Sequence, residues 1–398
     1  MSSISFSSAT RDKIVLLLVF AQYVALGYIG NAKSIIEFFL IALVWSDLLL
    51  RARIANKLLL TLFVALFVLL LGIFLITNPI SEMSLIITKN LLVFVGVWSY
   101  FSESHKPNIS NVENVAVSII LSCVLIGFIF PNLATDFSSI SWKQSYYVDI
   151  FSPASVGLNP HFTTQLILSY FLLHLIALNR HSDVSVLKLF SISSPHLLTI
   201  IYLLCFFVLL FATGTSTGCI SFLVAALVFS LNNKLSFLKF ELFHNKFLLL
   251  FFASLFLFLF LPILVSSEQL LDVVVYLLES FRLSGHISFL LIKEQLLSLA
   301  TLIRDAPILP SFQSLLIQAD PTGFLAHNEV GMVFLLYSYG SILTILLLIL
   351  LLFNFTPVGL MFLFSLIHYS FFMTGVGALV IARSQNLLMA TRASNKLM

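Results

Sequence analysis

The segment 266–329 is the longest stretch of this sequence that is neither an apolar run nor a short connector. Within it, Arg282, His286, Lys293 and Arg304 follow one another at spacings of 4, 7 and 11. At about 100° per residue, these side chains fall within about 40° of one another on a continuous helix. The sequence therefore predicts an amphipathic helix at a membrane surface with one basic face.

Two interpretations of this basic face remain open. The side chains could extend toward lipid headgroups and have no further role. Alternatively, the guanidinium groups could bind a pyrophosphate, since the planar fork of arginine suits phosphate oxygens. The apolar residues interspersed along the same stretch fit both interpretations; they are Phe289, Leu290, Ile292, Leu296, Leu299 and Ile303.

His327, Asn328 and Glu329 close the segment, directly before the next apolar run. A neutral histidine at a water–membrane boundary could act as a base near pH 7. The same residues also suit a helix start, with Asn328 as the cap and Glu329 at the positive end of the helix dipole. The two roles are compatible, because a cap would hold the histidine in place.

Other polar elements have a structural and a functional interpretation. Residues 213–218, Thr-Gly-Thr-Ser-Thr-Gly, predict a tight turn between helices or an anion-binding nest. Residues 157–162, Gly-Leu-Asn-Pro-His-Phe, predict a helix start at Pro160. Glu37, Asp47 and Lys89 lie near the ends of apolar runs, so they either reach the membrane surface or are paired or functional inside it.

The composition indicates a membrane protein. The 398 residues are 60% hydrophobic and 9% charged, whereas a soluble domain carries about 25% charged residues. We therefore predict an all-α polytopic integral membrane protein that forms a single domain over 1–398. Cys123, Cys205 and Cys219 each lie in an apolar run, which indicates helix packing and no metal site or disulfide framework.

The apolar runs predict 11–12 transmembrane helices, the first of them retained rather than removed as a signal peptide. The runs are 13–30, 34–50, 58–77, 84–101, 113–130, 161–179, 197–212, 216–231, 247–265, 330–353 and 356–382. Lysine and arginine in the short connectors place the N-terminus in the cytoplasm and both long loops, 131–160 and 266–329, outside. A break of the last run near Gly375 would give twelve crossings. It would also bring Arg383, Arg392 and Lys396 to the cytoplasmic side.

The order of these elements resembles the family of bacterial O-antigen polymerases and O-antigen ligases. The shared features are Asn159-Pro160 at a helix start, the 213–218 turn, and the element Arg282-Leu283-Ser284-Gly285. They continue with His327-Asn328 and a glycine about a dozen residues later, Gly340. The chain departs from the family pattern because the 213–218 turn has no arginine and His286 follows Ser284-Gly285, where the family often has arginine.

The resemblance implies a GT-C-like fold with a partly helical periplasmic loop, in the bacterial inner membrane. It implies a glycosyltransferase that moves a glycan from undecaprenyl pyrophosphate without a metal or cofactor. Arg282 would stabilise the pyrophosphate and His327 would be the base. Arg304, His286, Lys293, Asn328 and Glu329 would bind substrate. The implied partners are membrane lipid and a chain-length regulator protein, and no nucleic acid.

The sequence leaves three functions open. Two of them are transfer reactions that differ in the acceptor, and the third is transport. A polymerase would transfer the growing chain to a lipid-linked repeat unit, and this is the favoured prediction, since the sequence is divergent and rich in phenylalanine. A ligase would transfer it to lipid A-core. A flippase or permease for lipid-linked sugars would need charged residues lining a path between the helices.

Overall fold

The computed structural model describes residues 8–25, 31–51, 82–103, 110–130, 160–179, 194–212, 216–235, 356–365 and 374–397, with Ile308 and parts of 335–348. These residues are helical apart from helix caps and bends, and no strand occurs among them. The predicted all-α fold class is thus confirmed for the part of the chain that the structure describes.

Nine helices are defined within these ranges. They are α1 (Ser8–Ala25), α2 (Asn31–Arg51), α3 (Glu82–Glu103), α4 (Asn111–Ile129), α5 (Pro160–Asn179), α6 (Pro195–Ala212), α7 (Ser216–Leu235), α8 (Pro357–Ser365) and α9 (Gly375–Leu397). Within the part of the chain that the structure describes, no helix combines the length and the apolar character that crossing a membrane demands.

The helices belong to two compact units. The first unit contains α1, α2, α3 from residue 85 onward, α4, α5, α6 and α9. Its helix pairs include α1 with α2, α4 and α9, and α5 with α4, α6 and α9. The second unit contains α7 and α8, which pack against each other.

Three helices of the first unit are buried on every side over long stretches. The buried stretches are 93–102 in α3, 163–174 in α5 and 375–387 in α9. A helix that is buried all round forms the core of its unit. These three inner helices nevertheless carry polar residues, so the interior of the unit is partly polar.

The surrounding helices direct large apolar side chains outward. On α6 the exposed residues recur every three or four positions and so share one face. They are Leu197, Ile200, Leu203, Leu204 and Phe207. The helices α2 and α4 have comparable faces, formed by Ile35, Phe38, Phe39, Val115, Ile119, Ile126 and Ile129. The outer surface of this unit is therefore apolar where these residues lie.

Close helix contacts depend on glycine at two places. A Cβ on Gly96 of α3 would lie 2.9 Å from Nε1 of Trp45 on α2, and a Cβ on Gly375 would lie 2.7 Å from Oε1 of Gln22 on α1. The Trp45 indole cannot easily move, because its Nε1 donates to the Leu92 carbonyl at 3.1 Å. Small residues of this kind let helix backbones approach closely.

The last predicted apolar run is broken where expected. A new helix begins at Gly375, and the Thr374 hydroxyl accepts a hydrogen bond from the Gly377 N–H at 3.0 Å, which caps it. The predicted helix start at Pro160 is also confirmed. The runs 58–77 and 247–265 and the loop 131–160, apart from Pro160 itself, lie outside the described residues.

Candidate functional site

The residues predicted to do chemistry lie outside the described part of the chain. They are His327, Arg282, Arg304, His286, Lys293, Asn328 and Glu329. Of the loop 266–329 the structure describes Ile308, which is exposed and accepts a hydrogen bond from the Ile342 N–H at 3.4 Å. The roles of the seven residues therefore stay predictions.

Gly340 is the one residue of the family-like motifs in this region whose backbone is described. Its φ is 73°, a conformation that glycine adopts without steric cost and that other residues rarely adopt. The backbone conformation at position 340 therefore favours glycine over other residues.

The most elaborate polar site of the described residues is a buried ion pair in the first unit. Arg383 of α9 donates from Nη2 to Oε2 of Glu113 on α4 at 2.6 Å, and from Nε to Oε1 at 3.2 Å. The Tyr170 hydroxyl of α5 also donates to Glu113 Oε1, at 3.2 Å. Glu113 is completely buried and Arg383 nearly so. Two parallel bonds of this kind form the strongest geometry for an arginine–carboxylate pair.

The start of α4 places Glu113. The Ser110 hydroxyl accepts from the Glu113 N–H at 3.2 Å, and Glu113 Oε2 accepts from the Ser110 N–H at 3.1 Å. This is a capping box, in which a serine and a glutamate three residues later satisfy each other's backbone donors. One carboxylate therefore both begins α4 and holds Arg383.

The residues after Arg383 continue the polar contact between α9 and α3. Gln385 Oε1 accepts from Trp98 Nε1 at 3.0 Å and from the Ser102 hydroxyl at 3.2 Å. Asn386 Nδ2 donates to the Phe101 carbonyl at 2.8 Å. The Arg383 guanidinium also lies 5.2 Å from the centre of the Phe101 ring, within the range of a cation–π interaction.

A second polar network joins α1, α2, α3 and α9. Gln22 Oε1 accepts from the Gly375 N–H at 3.0 Å, and Gln22 Nε2 donates to Glu37 Oε1 at 3.0 Å. Lys89 Nζ lies 2.5 Å from Glu37 Oε2 and donates to the Ser34 hydroxyl at 3.0 Å. Gln22 and Glu37 are buried, so this network also holds charge in the interior.

Asp47 and Asp12 lie in two further contacts. Asp47 is buried and forms an ion pair with Arg11. Asp12 accepts a hydrogen bond from the Tyr100 hydroxyl at 2.7 Å. Glu37, Asp47 and Lys89 are thus each in an ion pair within the first unit.

The inner helix α5 carries hydroxyl and imidazole groups. The Thr163 and Tyr23 hydroxyls share a hydrogen bond of 2.5 Å, and His174 Nε2 shares one of 3.0 Å with the Thr199 hydroxyl. The Tyr202 ring stacks on Phe171 at 5.0 Å between centres. These contacts fit a packed interior in which His174 is a core residue with a hydrogen-bond partner.

The described site is suited to holding helices together. The buried carboxylates each have a cationic partner, and the described residues contain no cluster of histidine, cysteine, aspartate or glutamate that could hold a metal. Cys205 and Cys219 are free and buried, and Cys123 is free and half-buried. No family model, curated protein or solved structure matches the chain.

Two residues of this polar site, Arg383 and Glu113, are not among the residues predicted from the sequence to be functional. The sequence predicts Arg383 at the cytoplasmic side after the last apolar run, whereas in the structure it lies inside α9 and is buried against Glu113. Glu113 was counted only as part of an apolar run. Two local signals were available, the Ser110-x-x-Glu113 pattern of a capping box and the polar run Arg383-Ser384-Gln385-Asn386.

Proposed function

We propose that this chain is a polytopic inner-membrane protein that polymerises a glycan carried on undecaprenyl pyrophosphate. One observation supports the membrane location most strongly. In the first unit, charged and polar side chains are buried and paired, while large apolar side chains of α2, α4 and α6 are exposed. Charged residues of membrane proteins face the bundle interior and pair there, while apolar residues face lipid.

The order of motifs along the sequence supports the transfer reaction. Asn159-Pro160, the 213–218 turn, Arg282 in Arg-x-Ser-Gly, and His327-Asn328 follow one another in an order that resembles the O-antigen polymerase and ligase family. Two of the described residues agree with this order. Pro160 begins a helix, and Gly340 adopts a backbone conformation that favours glycine.

The proposed mechanism is a direct displacement at the anomeric carbon of the lipid-linked sugar. His327 removes the proton from the acceptor hydroxyl as that oxygen attacks, which is worth about 10²–10⁴-fold in rate. The bond from the anomeric carbon to the pyrophosphate oxygen breaks, so the configuration inverts. Arg282, with Arg304, His286 and Lys293, stabilises the charge that develops on the pyrophosphate. Pyrophosphate is a weak base, so no acid has to protonate it.

The buried charged residues of the first unit help to distinguish the enzyme from a permease. A flippase or permease for lipid-linked sugars needs charged groups along a path between helices, and Glu37, Asp47, Glu113 and Arg383 do lie between helices. Each of them, however, is held by an oppositely charged partner in the same unit. Paired charges of this kind favour a structural role, so we prefer the enzyme.

The test of the proposal is the surface polysaccharide of a strain that lacks this protein. A polymerase predicts lipid A-core carrying at most one repeat unit, visible as loss of the ladder on a gel. If long chains accumulate on undecaprenyl pyrophosphate while lipid A-core carries none, the protein is the ligase. Repeat units trapped at the cytoplasmic face would identify the flippase.

An arginine substitution tests the pyrophosphate site in the same strain. Arg282→Lys keeps the charge but loses the planar fork, so we expect most of the polymer to disappear. Arg392→Lys, a change of the same kind near the C-terminus, is the matched control and should leave the ladder intact. A normal ladder from Arg282→Ala, at normal protein level, would contradict the role of Arg282.

A further inference from the structure

The last helix, α9, is poorly suited to a membrane by itself. It is the least apolar of the nine described helices, and it carries four consecutive polar residues, Arg383, Ser384, Gln385 and Asn386. Arginine near the middle of a lone membrane helix is among the costliest residues to insert. A helix of this composition therefore needs partners before it is stable between apolar helices.

The first unit supplies those partners from far earlier in the chain. All four polar residues are buried. Glu113 holds Arg383 from 270 positions away, Trp98 and Ser102 hold Gln385, and the Phe101 carbonyl holds Asn386. The Gly375 N–H at the start of α9 donates to Gln22.

The groups that contact α9 are themselves stabilised by it. Glu113 is completely buried, and of the cations among the described residues it is Arg383 that contacts it. A buried carboxylate without a cation is strongly destabilising. The groove lined by α1, α3, α4 and α5 is thus polar at the positions where α9 presents polar residues, and it fits this helix specifically.

We propose that the C-terminal helix α9 enters the membrane only by docking into this polar groove, with the Glu113–Arg383 pair as the contact on which docking depends. This inference rests on the membrane location proposed above and is independent of glycosyl transfer. It makes α9 a late-docking element, because its partners α1, α3, α4 and α5 precede it by about two hundred residues or more and are synthesised first.

The test measures the accessibility of a buried position on α9 in the full chain. Ala378 is fully buried and lies five residues before Arg383 on α9, so Ala378→Cys serves as the reporter once Cys123, Cys205 and Cys219 are replaced by alanine. Native membranes are treated with a water-soluble maleimide. In the otherwise unchanged chain the reporter is protected. In Glu113→Leu we expect labelling to be at least about tenfold faster, because a broken buried pair shifts a local equilibrium by more than one decade.

A second substitution separates docking from general damage. Arg383→Leu removes the charge that makes α9 costly to insert, so adding it to Glu113→Leu should restore protection of the reporter. This follows the general finding that replacing both members of a buried ion pair by apolar residues is often neutral. Ser110→Ala is the matched control, since it removes the α4 cap and keeps the Glu113 charge. It should leave the reporter protected.

Three results would overturn the inference. The reporter could stay protected in Glu113→Leu, Arg383→Leu could fail to restore protection, or Ser110→Ala could expose the reporter as much as Glu113→Leu does. Extraction of the unchanged chain at alkaline pH is the separate test of the membrane location. Release of the unchanged chain would contradict the proposed membrane location, whereas retention with an insensitive reporter would contradict only the role of Glu113 and Arg383.

Discussion

At the scale of single residues, Gln22 connects three helices with one amide. Its carbonyl accepts from Gly375 and its amino group donates to Glu37, both at 3.0 Å. Gln22→Leu would leave the Gly375 N–H and one Glu37 oxygen without these partners. Each buried polar group that loses its partner costs about 1–3 kcal/mol, so we expect a clearly lower unfolding midpoint of the purified protein in detergent.

Leu17 provides the control for this prediction. It lies on the same helix as Gln22 but is 58% exposed, so Leu17→Ala should move the unfolding midpoint far less. If Gln22→Leu unfolded at the wild-type temperature, Gln22 would not be the junction that its contacts indicate.

At the scale of elements, much of the helix content could be predicted from the sequence. The predicted runs 84–101, 113–130, 161–179 and 197–212 match α3, α4, α5 and α6 within two residues at each end. The start of the first predicted run, 13–30, was less accurate, since α1 begins at Ser8. Apolar runs predict helices because length and composition are local properties.

The pairing of helices could not be predicted in the same way. Glu113 and Arg383 are 270 positions apart, and a single sequence carries no signal that joins such distant residues. Their burial is a property of three-dimensional packing, whereas the sequence showed only a glutamate at the start of one apolar run and an arginine after another. The functional prediction was placed on the loop 266–329 because its basic and polar residues are visible in the sequence without any knowledge of packing.

The contact between α2 and α3 gives a prediction at the same scale. Gly96→Ala would place a methyl group 2.9 Å from the Trp45 nitrogen, so the helices must separate or the indole must leave the Leu92 carbonyl. Overpacking of this kind costs about 1–3 kcal/mol. We expect a lower unfolding midpoint for Gly96→Ala, and partial recovery when Trp45→Phe removes the atom that clashes. Absence of recovery would show that the strain lies elsewhere.

At the scale of the whole molecule, the proposed membrane topology puts the 266–329 loop in the periplasm and the N-terminus in the cytoplasm. Basic residues of the connectors motivate this orientation. A chain with Ser314→Cys, in the background without native cysteines, should react with an impermeant maleimide added to intact spheroplasts. The N-terminal control, Ser3→Cys, should react only after permeabilisation. The reverse pattern would contradict the topology.

The central claim is that His327 is the base of a polymerase, and the most direct measurement is turnover of lipid-linked repeat units by the purified protein. The wild-type enzyme should make polymer without added metal. Its activity should fall as the pH drops through the histidine pKa, about 6.5 for an ordinary histidine, because the neutral imidazole is the active form. His327→Ala, folded and membrane-inserted, should lose about 10²–10⁴-fold in rate. Turnover by His327→Ala within about tenfold of wild type would contradict the role of His327 as the base. Only the interpretation of this segment as a helix start would then remain.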